Sequence, residues 1–573
     1  MRLEIKYQKY WELFTINYQL KLKLTYLSLF FCLIGLNTVA QHVYYPANSI
    51  GHYESYRKKT MDTNSNTMSS SQFYRTFDFK NDSSNFRSLT DYDKERPFLS
   101  IDNLHHLSKN KFPFSNKNKN SNFIYKYQSA FYCIKEKDYL LVINPVLNFT
   151  AGEEKNQVNK LYQNTRGAEI WGNIGGQKKG VGFYSLFTEN QTMLPSYYRF
   201  FHDSLNHVPN ELFFKKFKKA GAVDFFQTRA YFTFNAINNY IKFQFGHDKH
   251  KIGNGYRSLI LNDFAPQYLF FKINTDIKRF HYQNLFTQFN DNGLILGNTL
   301  FGKKYGAFHR LSFDVRKNIS IGLNEMVIFD RIDSTQKNQF DLNYLNPVIF
   351  YRAVESNLGS RDNSLMALDF EWKIKHQYII YGQFLLDEFN LRFIKEQPNW
   401  WANKYGYQIG ARSFNLLNIK NLDLLIEYNR MRPYTYSHYR TTQSYSHFNQ
   451  ALAHPLGANF SETILETRYQ VSERWNIQAT FINAITGRDS FLNGRNYGGN
   501  ILRDYRNRAT EFDSKMFMGQ KTKMKIMELN ISYKLKHNLL IDARINYRQI
   551  NESNQLFYTL GIRINNCLRP FNY

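Results

Sequence analysis

The 573-residue sequence is poor in the residues that staple or break a chain: it has 3 cysteines and 12 prolines. So few cysteines imply no disulfide framework. Beyond residue 40 no apolar run approaches the roughly 20 residues a membrane helix needs. Acids are the minority charge, with 47 Asp and Glu against 74 Lys and Arg and a formal net charge of +27. A basic chain favours anionic partners.

Aromatics are abundant, at 17%, yet the mean hydropathy is −0.54. A transmembrane β-barrel reconciles the two. Only alternate residues of each strand meet lipid, so the average stays polar while aromatic girdles raise Tyr, Phe and Trp.

The stretch from Asn421 to Val471 carries this pattern best. Leu422, Leu424, Ile426 and Tyr428 alternate with Asp423, Leu425, Glu427 and Asn429. Beyond a long loop, Thr463, Leu465 and Thr467 alternate with Glu462, Ile464 and Glu466. A period of two with unlike faces marks strands between two different surroundings. The C-terminal runs Lys525 to Leu535, Leu539 to Arg548 and Leu556 to Asn565 alternate in the same way. The first two strands are expected at Phe123 to Ile134 and Tyr139 to Thr150.

The chain divides in three. Lys21 and Lys23 precede an apolar run from Leu24 to Val39 and a small-residue site at Ala40, so 1–40 reads as a signal peptide with a long leader. Residues 41–122 include DTNSNTMSSS (Asp62 to Ser71) and read as a polar, partly disordered periplasmic or plug-like segment, with a short helix near Leu104 to Leu107. Residues 123–573, at roughly 25 per strand plus connection, hold about 18 strands, with 16–18 as the range. The fold expected is all-β, a transmembrane antiparallel barrel of the outer membrane. Nucleic acid, the other usual partner of a basic chain, is excluded by export. Outer-membrane lipid, lipopolysaccharide phosphates and acidic polysaccharide are the partners expected.

Candidate residues cluster in the loop after Asn429. Arg432, Tyr434, Tyr436, His438, Tyr445, His447 and His454 interleave rings with cations, and Pro433 and Pro455 stiffen them. Aromatic faces stack on sugars and Arg forks pair with uronate or phosphate. The alternative for the same residues is an aromatic girdle and a loop folded inward as a plug. Arg352, Glu355, Arg361 and Asp362, with Asp387 and Glu388, are candidates to line a charged lumen or to form structural ion pairs. Cys133 and Cys567 would meet at the seam of a closed barrel. A disulfide there and two separate thiols are both open, with separate thiols favoured.

No cofactor or metal site is expected: His247 and His250 flank Asp248, but no third ligand follows nearby. GNGY (Gly253 to Tyr256) reads as a tight turn, because no helix follows it to cradle a phosphate. Ser437–His438 and Ser446–His447 evoke an outer-membrane hydrolase, but neighbours on a strand point apart, so a non-enzyme is expected.

Several stretches resemble the outer-membrane barrel family typified by the capsule-assembly protein Wzi, and most closely its Bacteroidetes gliding-motility RemB-like branch. They are GHDKHKIGNGYRSLILNDFAPQYLF (Gly246 to Phe270), KYGAFHRLSF (Lys304 to Phe313), LNYLNPVIFYRAVESNLGSRDNSLMALDF (Leu342 to Phe370), YGQFLLDEF (Tyr381 to Phe389), WWANKYGYQIG (Trp400 to Gly410), RPYTYSH (Arg432 to His438) and AHPLGANFSE (Ala453 to Glu462). Their order carries the resemblance. It implies a barrel of about 18 strands, acting as a surface platform for capsular polysaccharide or in gliding motility with other envelope proteins. A porin-like channel is the competing expectation.

Overall fold

A computed structural model of the chain describes residues 131–573, apart from 137, 176–180, 205–206, 218–220, 238–239, 292–300, 332–338, 348–350, 352–357, 376, 389–390, 473, 490–493, 537–538, 566–568, 570 and 573. The leader of 1–40 and the polar segment 41–122 lie outside the described residues.

Eighteen long strands follow one another. They are β1 (Tyr139–Glu154), β2 (Leu161–Ile174), β3 (Val181–Met193), β4 (Ala222–Ala236), β5 (Ile241–Asp248), β6 (Tyr268–Ile277), β7 (Phe280–Asp291), β8 (Gly302–Arg316) and β9 (Ile319–Phe329). After these come β10 (Asn363–Ile374), β11 (Tyr378–Leu386), β12 (Tyr405–Ser413), β13 (Leu422–Met431), β14 (Phe460–Gln470), β15 (Trp475–Arg488), β16 (Gln520–Lys536), β17 (Leu539–Ile550) and β18 (Ser553–Ile564). Each pairs antiparallel with its neighbour in the chain, and β18 returns to β1, with Ile564 opposite Leu147 and Phe557 opposite Glu154. The sheet is thus a closed barrel with no long free edge.

Of the expected first strand, Phe123 to Ile134, residues 123–130 lie outside the described residues. Its described end falls in a short strand, Tyr132–Lys135, paired to residues 140–143, and β1 is the strand that β18 meets. That short strand occupies the edge of β1 below the point where β18 ends. Cys133 sits in it, half-buried, and Cys567 lies outside the described residues.

Alternation sets the two faces of the wall. Phe187, Leu311, Leu368, Ile409, Ile426, Met527, Ile545 and Leu560 are exposed on the outside. Between them Arg310, Asp369, Gln383, Gln408, Glu427 and Asn429 are buried inside. Inward charges are paired: Arg310 grips Asp369 through Nε (3.1 Å) and Nη2 (2.6 Å). Arg229 pairs with Asp248 on the adjoining wall.

Connections differ sharply between the ends. One end carries turns such as 278–279, 317–318 and 375–377. The other carries the connections 249–267, 330–362, 387–404, 432–459 and 489–519. The first is the turn end and the second the loop end.

Two of the long loops do not project outward. Loops 249–267 and 432–459 fold into the barrel and pack on each other. Tyr436 donates to the Leu259 carbonyl and Tyr445 to the Ile260 carbonyl, both at 2.6 Å. The Asn262 amide donates to the Leu452 carbonyl at 2.8 Å. Leu259, Ile260, Leu261, Tyr436, Tyr445 and Leu452 form one apolar cluster with wall residues of distant strands, among them Val142, Phe270 and Phe308. Contact with so many strands at once places the pair inside the lumen.

The wall grips this plug through buried polar groups. Glu427 of β13 accepts from the amides of Tyr256 (2.6 Å) and Arg257 (3.0 Å) and from the Tyr381 hydroxyl (2.8 Å). Gln383 of β11 accepts from the Leu259 amide at 2.8 Å. GNGY is therefore not a simple tight turn but the place where the loop backbone meets the wall. A Cβ on Gly253 would collide with the Gln383 amide, and one on Gly255 with the Glu427 carboxylate.

The chain's last described residues also reach the plug. Arg569 pairs with Glu211 at 2.5 Å, and the Phe571 carbonyl accepts from the Tyr197 hydroxyl at 3.1 Å. Asn572 accepts from Arg257 and donates to the Tyr256 hydroxyl.

Candidate functional site

The residues singled out in the loop after β13 are all buried. Tyr436 is 1% exposed and Tyr445 and His454 0%, and Arg432, Tyr434, His438 and His447 are buried as well. Each serves the loop's own architecture. Arg432 donates to the carbonyls of Asn403 (2.8 Å) and Ser514 (3.2 Å), tying three connections together. Tyr434 donates to Asn496 O at 2.7 Å. His447 has both ring nitrogens on backbone, accepting from the Asn290 amide (3.0 Å) and donating to Gln267 O (3.2 Å). His454 bonds Glu462 at 2.7 Å. The neighbouring Ser446 hydroxyl instead meets Lys304 at 3.0 Å and Ser444 at 2.8 Å.

The loop is held in a demanding shape. Tyr434 and Tyr436 have φ of 64° and 73°, a left-handed region that bulky residues avoid at a cost of roughly 1–3 kcal/mol each. Bonds from both amides fix it, Tyr434 N to Gly498 O (2.9 Å) and Tyr436 N to the Asp387 carboxylate (2.6 Å). Burial raises the Asp387 carboxyl to about 7 against the pull of Lys404. Burial, with the Lys404 cation nearby, lowers His438 to about 4, so its ring is neutral at pH 7.

Of the candidates for the lumen charge, Arg352 and Glu355 lie outside the described residues. Arg361 is exposed. Asp362 is buried in a bidentate pair with Arg331 (3.0 Å each) and accepts from the Tyr344 hydroxyl at 2.6 Å. Glu388 pairs with Lys404 at 3.2 Å and Asp387 stands 4.0 Å from it. These groups sit in or beside the loop-end connections. The charges buried along the wall are others, including Arg310, Asp369 and Glu427, and period-two alternation already marks Asp369 and Glu427 as opposite the apolar face.

What remains accessible at the loop end is a group of rings and cations from three connections, 387–404, 432–459 and 489–519. Trp401 and Tyr505 rings lie 4.8 Å apart and Tyr439 and Tyr505 6.2 Å. Arg508 stands 4.5 Å from the Trp401 ring centre and Arg506 5.3 Å from that of Tyr439, while the buried Lys404 ammonium lies 4.3 Å from the Tyr505 ring and supports it from beneath. Trp400 and Trp401 donate to one Glu511 oxygen at 3.3 and 2.9 Å. Burial pushes Glu511 up, but the bonds from Arg508 and both indoles outweigh it and hold the carboxyl below its usual range. Trp400, Trp401, Tyr439 and Tyr505 are half-buried and Arg506 is exposed. Half-exposed rings beside a guanidinium can stack on a sugar ring and pair with its acidic substituent. Sequence reasoning passed over most of this group. The adjacent Trp pair was visible, but DYRNR (Asp504 to Arg508) lies where no strand pattern calls attention to it.

Among the described residues no helix is long and apolar enough to cross a membrane, and no three His, Cys, Asp or Glu side chains stand together as a metal group.

No family profile matches the chain, and no curated protein matches it in sequence. Solved structures do match in shape. Wzi from Escherichia coli, described as an outer-membrane, carbohydrate-binding β-barrel involved in group 1 capsule assembly, aligns over 92% of this chain and 100% of its own at 12% identity, with a TM-score of 0.50. OprD and OccK8 (OprE) of Pseudomonas aeruginosa align over 74% and 75% of the chain at 11% and 8% identity, with TM-scores of 0.40 and 0.42. The chain therefore has the fold of an outer-membrane barrel similar to Wzi.

Proposed function

We propose that the chain is an outer-membrane barrel that works as a non-enzymatic surface platform, holding an acidic surface polysaccharide on the half-exposed ring and cation group at its loop end. The observation that carries this reading is the pair of loops 249–267 and 432–459, folded into the lumen and packed on each other and on the wall, which argues against an open passage. Wzi, with the same architecture, is described as carbohydrate-binding, which supports the ligand class. An exposed apolar belt outside and buried polar groups inside support the membrane setting. A role in capsule attachment or in gliding motility of the RemB-like kind is the setting in which such a platform serves.

The test is paired. Planar-bilayer recording of the mature chain should give no steady conductance, and an array of acidic bacterial polysaccharides should give saturable binding that Tyr439→Ala and Arg506→Ala weaken about tenfold, near the loss of one stacking or charge-assisted contact. Stable ohmic channels in the intact chain would replace the platform with a porin-like conduit.

A further inference from the structure

Exposed cations mark both ends of the barrel. At the loop end several face carboxylates, as in Arg392–Glu396, Arg506–Asp504 and Lys515–Asp513, and others such as Lys155, Lys303 and Lys523 are exposed on the strand ends. The turn end carries a set of its own. Lys278 and Arg279, Lys317, Lys375 and Lys420 are exposed in four turns spanning β6 to β13. Arg316 and Arg474 are exposed on the same rim. Among the described residues of that arc no carboxylate is exposed. Asp276 is bonded to Lys242 (2.7 Å) and His281 (2.8 Å), Asp314 and Glu371 are buried, and Asp423 accepts from the Asn415 amide at 3.0 Å.

The same rim is apolar just above the charges. Phe280 (beside Arg279), Trp372 and Tyr378 (flanking Lys375) and Trp475 (beside Arg474) are exposed. Leu417, 80% exposed, forms the tip of the turn that carries Lys420. A leucine exposed beside cations and rings suits the boundary between headgroups and acyl chains. Rings and long cations at that depth are how a membrane protein anchors itself, with the stems in the apolar layer and the charges among the phosphates.

We infer that the turn-end rim from β6 to β15 is a binding belt for anionic phospholipid headgroups of the leaflet on that side. The inference rests on the membrane-barrel reading above and is independent of the polysaccharide. An acidic protein would fit the charges but not the exposed rings beside them, Phe280, Trp372, Tyr378 and Trp475, and lipid fits both.

The experiment reconstitutes the mature chain in vesicles of phosphatidylcholine alone or mixed equally with phosphatidylglycerol, and counts retained lipids by native mass spectrometry. The expected result is a preference for phosphatidylglycerol of about fivefold or more. It should vanish in the variant K278Q/R279Q/K317Q/K375Q/K420Q and persist in the loop-end control R392Q/K395Q. Equal retention of the two lipids, or an unchanged preference in the quintuple variant, overturns the inference. Should the quintuple variant not insert, the wild-type chain in about 1 M salt, where screening reaches roughly 3 Å, decides: loss of the preference supports the belt and its persistence overturns it. Failure of the wild-type chain to insert into either vesicle would instead overturn the membrane-barrel reading itself, so the two failures are distinguishable.

Discussion

The hydroxyl of Tyr436 donates to the main-chain carbonyl of Leu259 across 2.6 Å, joining two loops whose residues stand 177 apart in the chain. Neither loop has a regular element of any length to hold it, so bonds of this kind define the plug. Tyr436→Phe keeps the ring and orphans a buried carbonyl, at a cost of about 1–3 kcal/mol. The expected outcome is a lower melting temperature with the barrel still closed to ions. Removing both rings, Tyr436→Ala with Tyr445→Ala, takes out the centre of the loop contact and should yield fluctuating conductance in a planar bilayer.

Glu427 is the wall's firmest hold on the other loop, since one carboxylate accepts from two main-chain amides and a tyrosine hydroxyl. Glu427→Leu takes the acceptor from four buried donors, these three and the Asn429 side-chain amide at 2.9 Å. The expected loss is about 3 kcal/mol or more, and hydrogen exchange should quicken at Tyr256 and Arg257 before any strand amide responds.

Arg310 and Asp369 form a buried bidentate pair inside the wall. Deleting one partner leaves a buried charge, so Asp369→Ala should cost about 3–5 kcal/mol in urea unfolding from detergent. The double change Arg310→Met with Asp369→Leu should cost much less. A double variant as damaging as the single one would refute this account.

Two buried groups make the loop after β13 answer acid in opposite directions. His438 titrates at about 4 when folded and near 6.5 when unfolded, so between those values the unfolded chain binds a proton that the native one refuses. This contribution is whole above pH 6.5 and is lost as pH falls toward 4, by on the order of 3 kcal/mol. Asp387 works against it. Raised to about 7 from 3.8, its carboxyl holds a proton that the unfolded chain releases, so its share is largest at low pH and is lost as pH rises through 7. Hydrogen exchange at Tyr436 to Tyr439 should therefore show a shallow acid response in the wild-type chain. The response should steepen in Asp387→Asn and vanish in Asp387→Asn with His438→Gln.

The wall was legible because a strand between lipid and lumen writes its two surroundings into alternate residues. Leu422 to Asn429 and Glu462 to Thr467 show that pattern, and both are strands. Of Phe123 to Ile134, expected as the first strand, only the end is described, and there Tyr132–Lys135 is a strand; β1, expected as the second, is the one that closes on β18. The destination of the loop was not legible. Tyr436 and Tyr445 look alike in sequence whether they meet a sugar or the Leu259 and Ile260 carbonyls, because the partner lies far along the chain and no periodicity links them. For the same reason the accessible rings came from Trp401 and Tyr505, in connections that no strand pattern marks.

The tail contacts bear on the order of assembly. Phe571 and Asn572 follow the last strand, yet they touch Tyr197, Tyr256 and Arg257, which belong to connections made early. The plug is complete only when the final strand has been delivered to the first. Packing of the loop contacts and closure of the seam are thereby coupled in one structure.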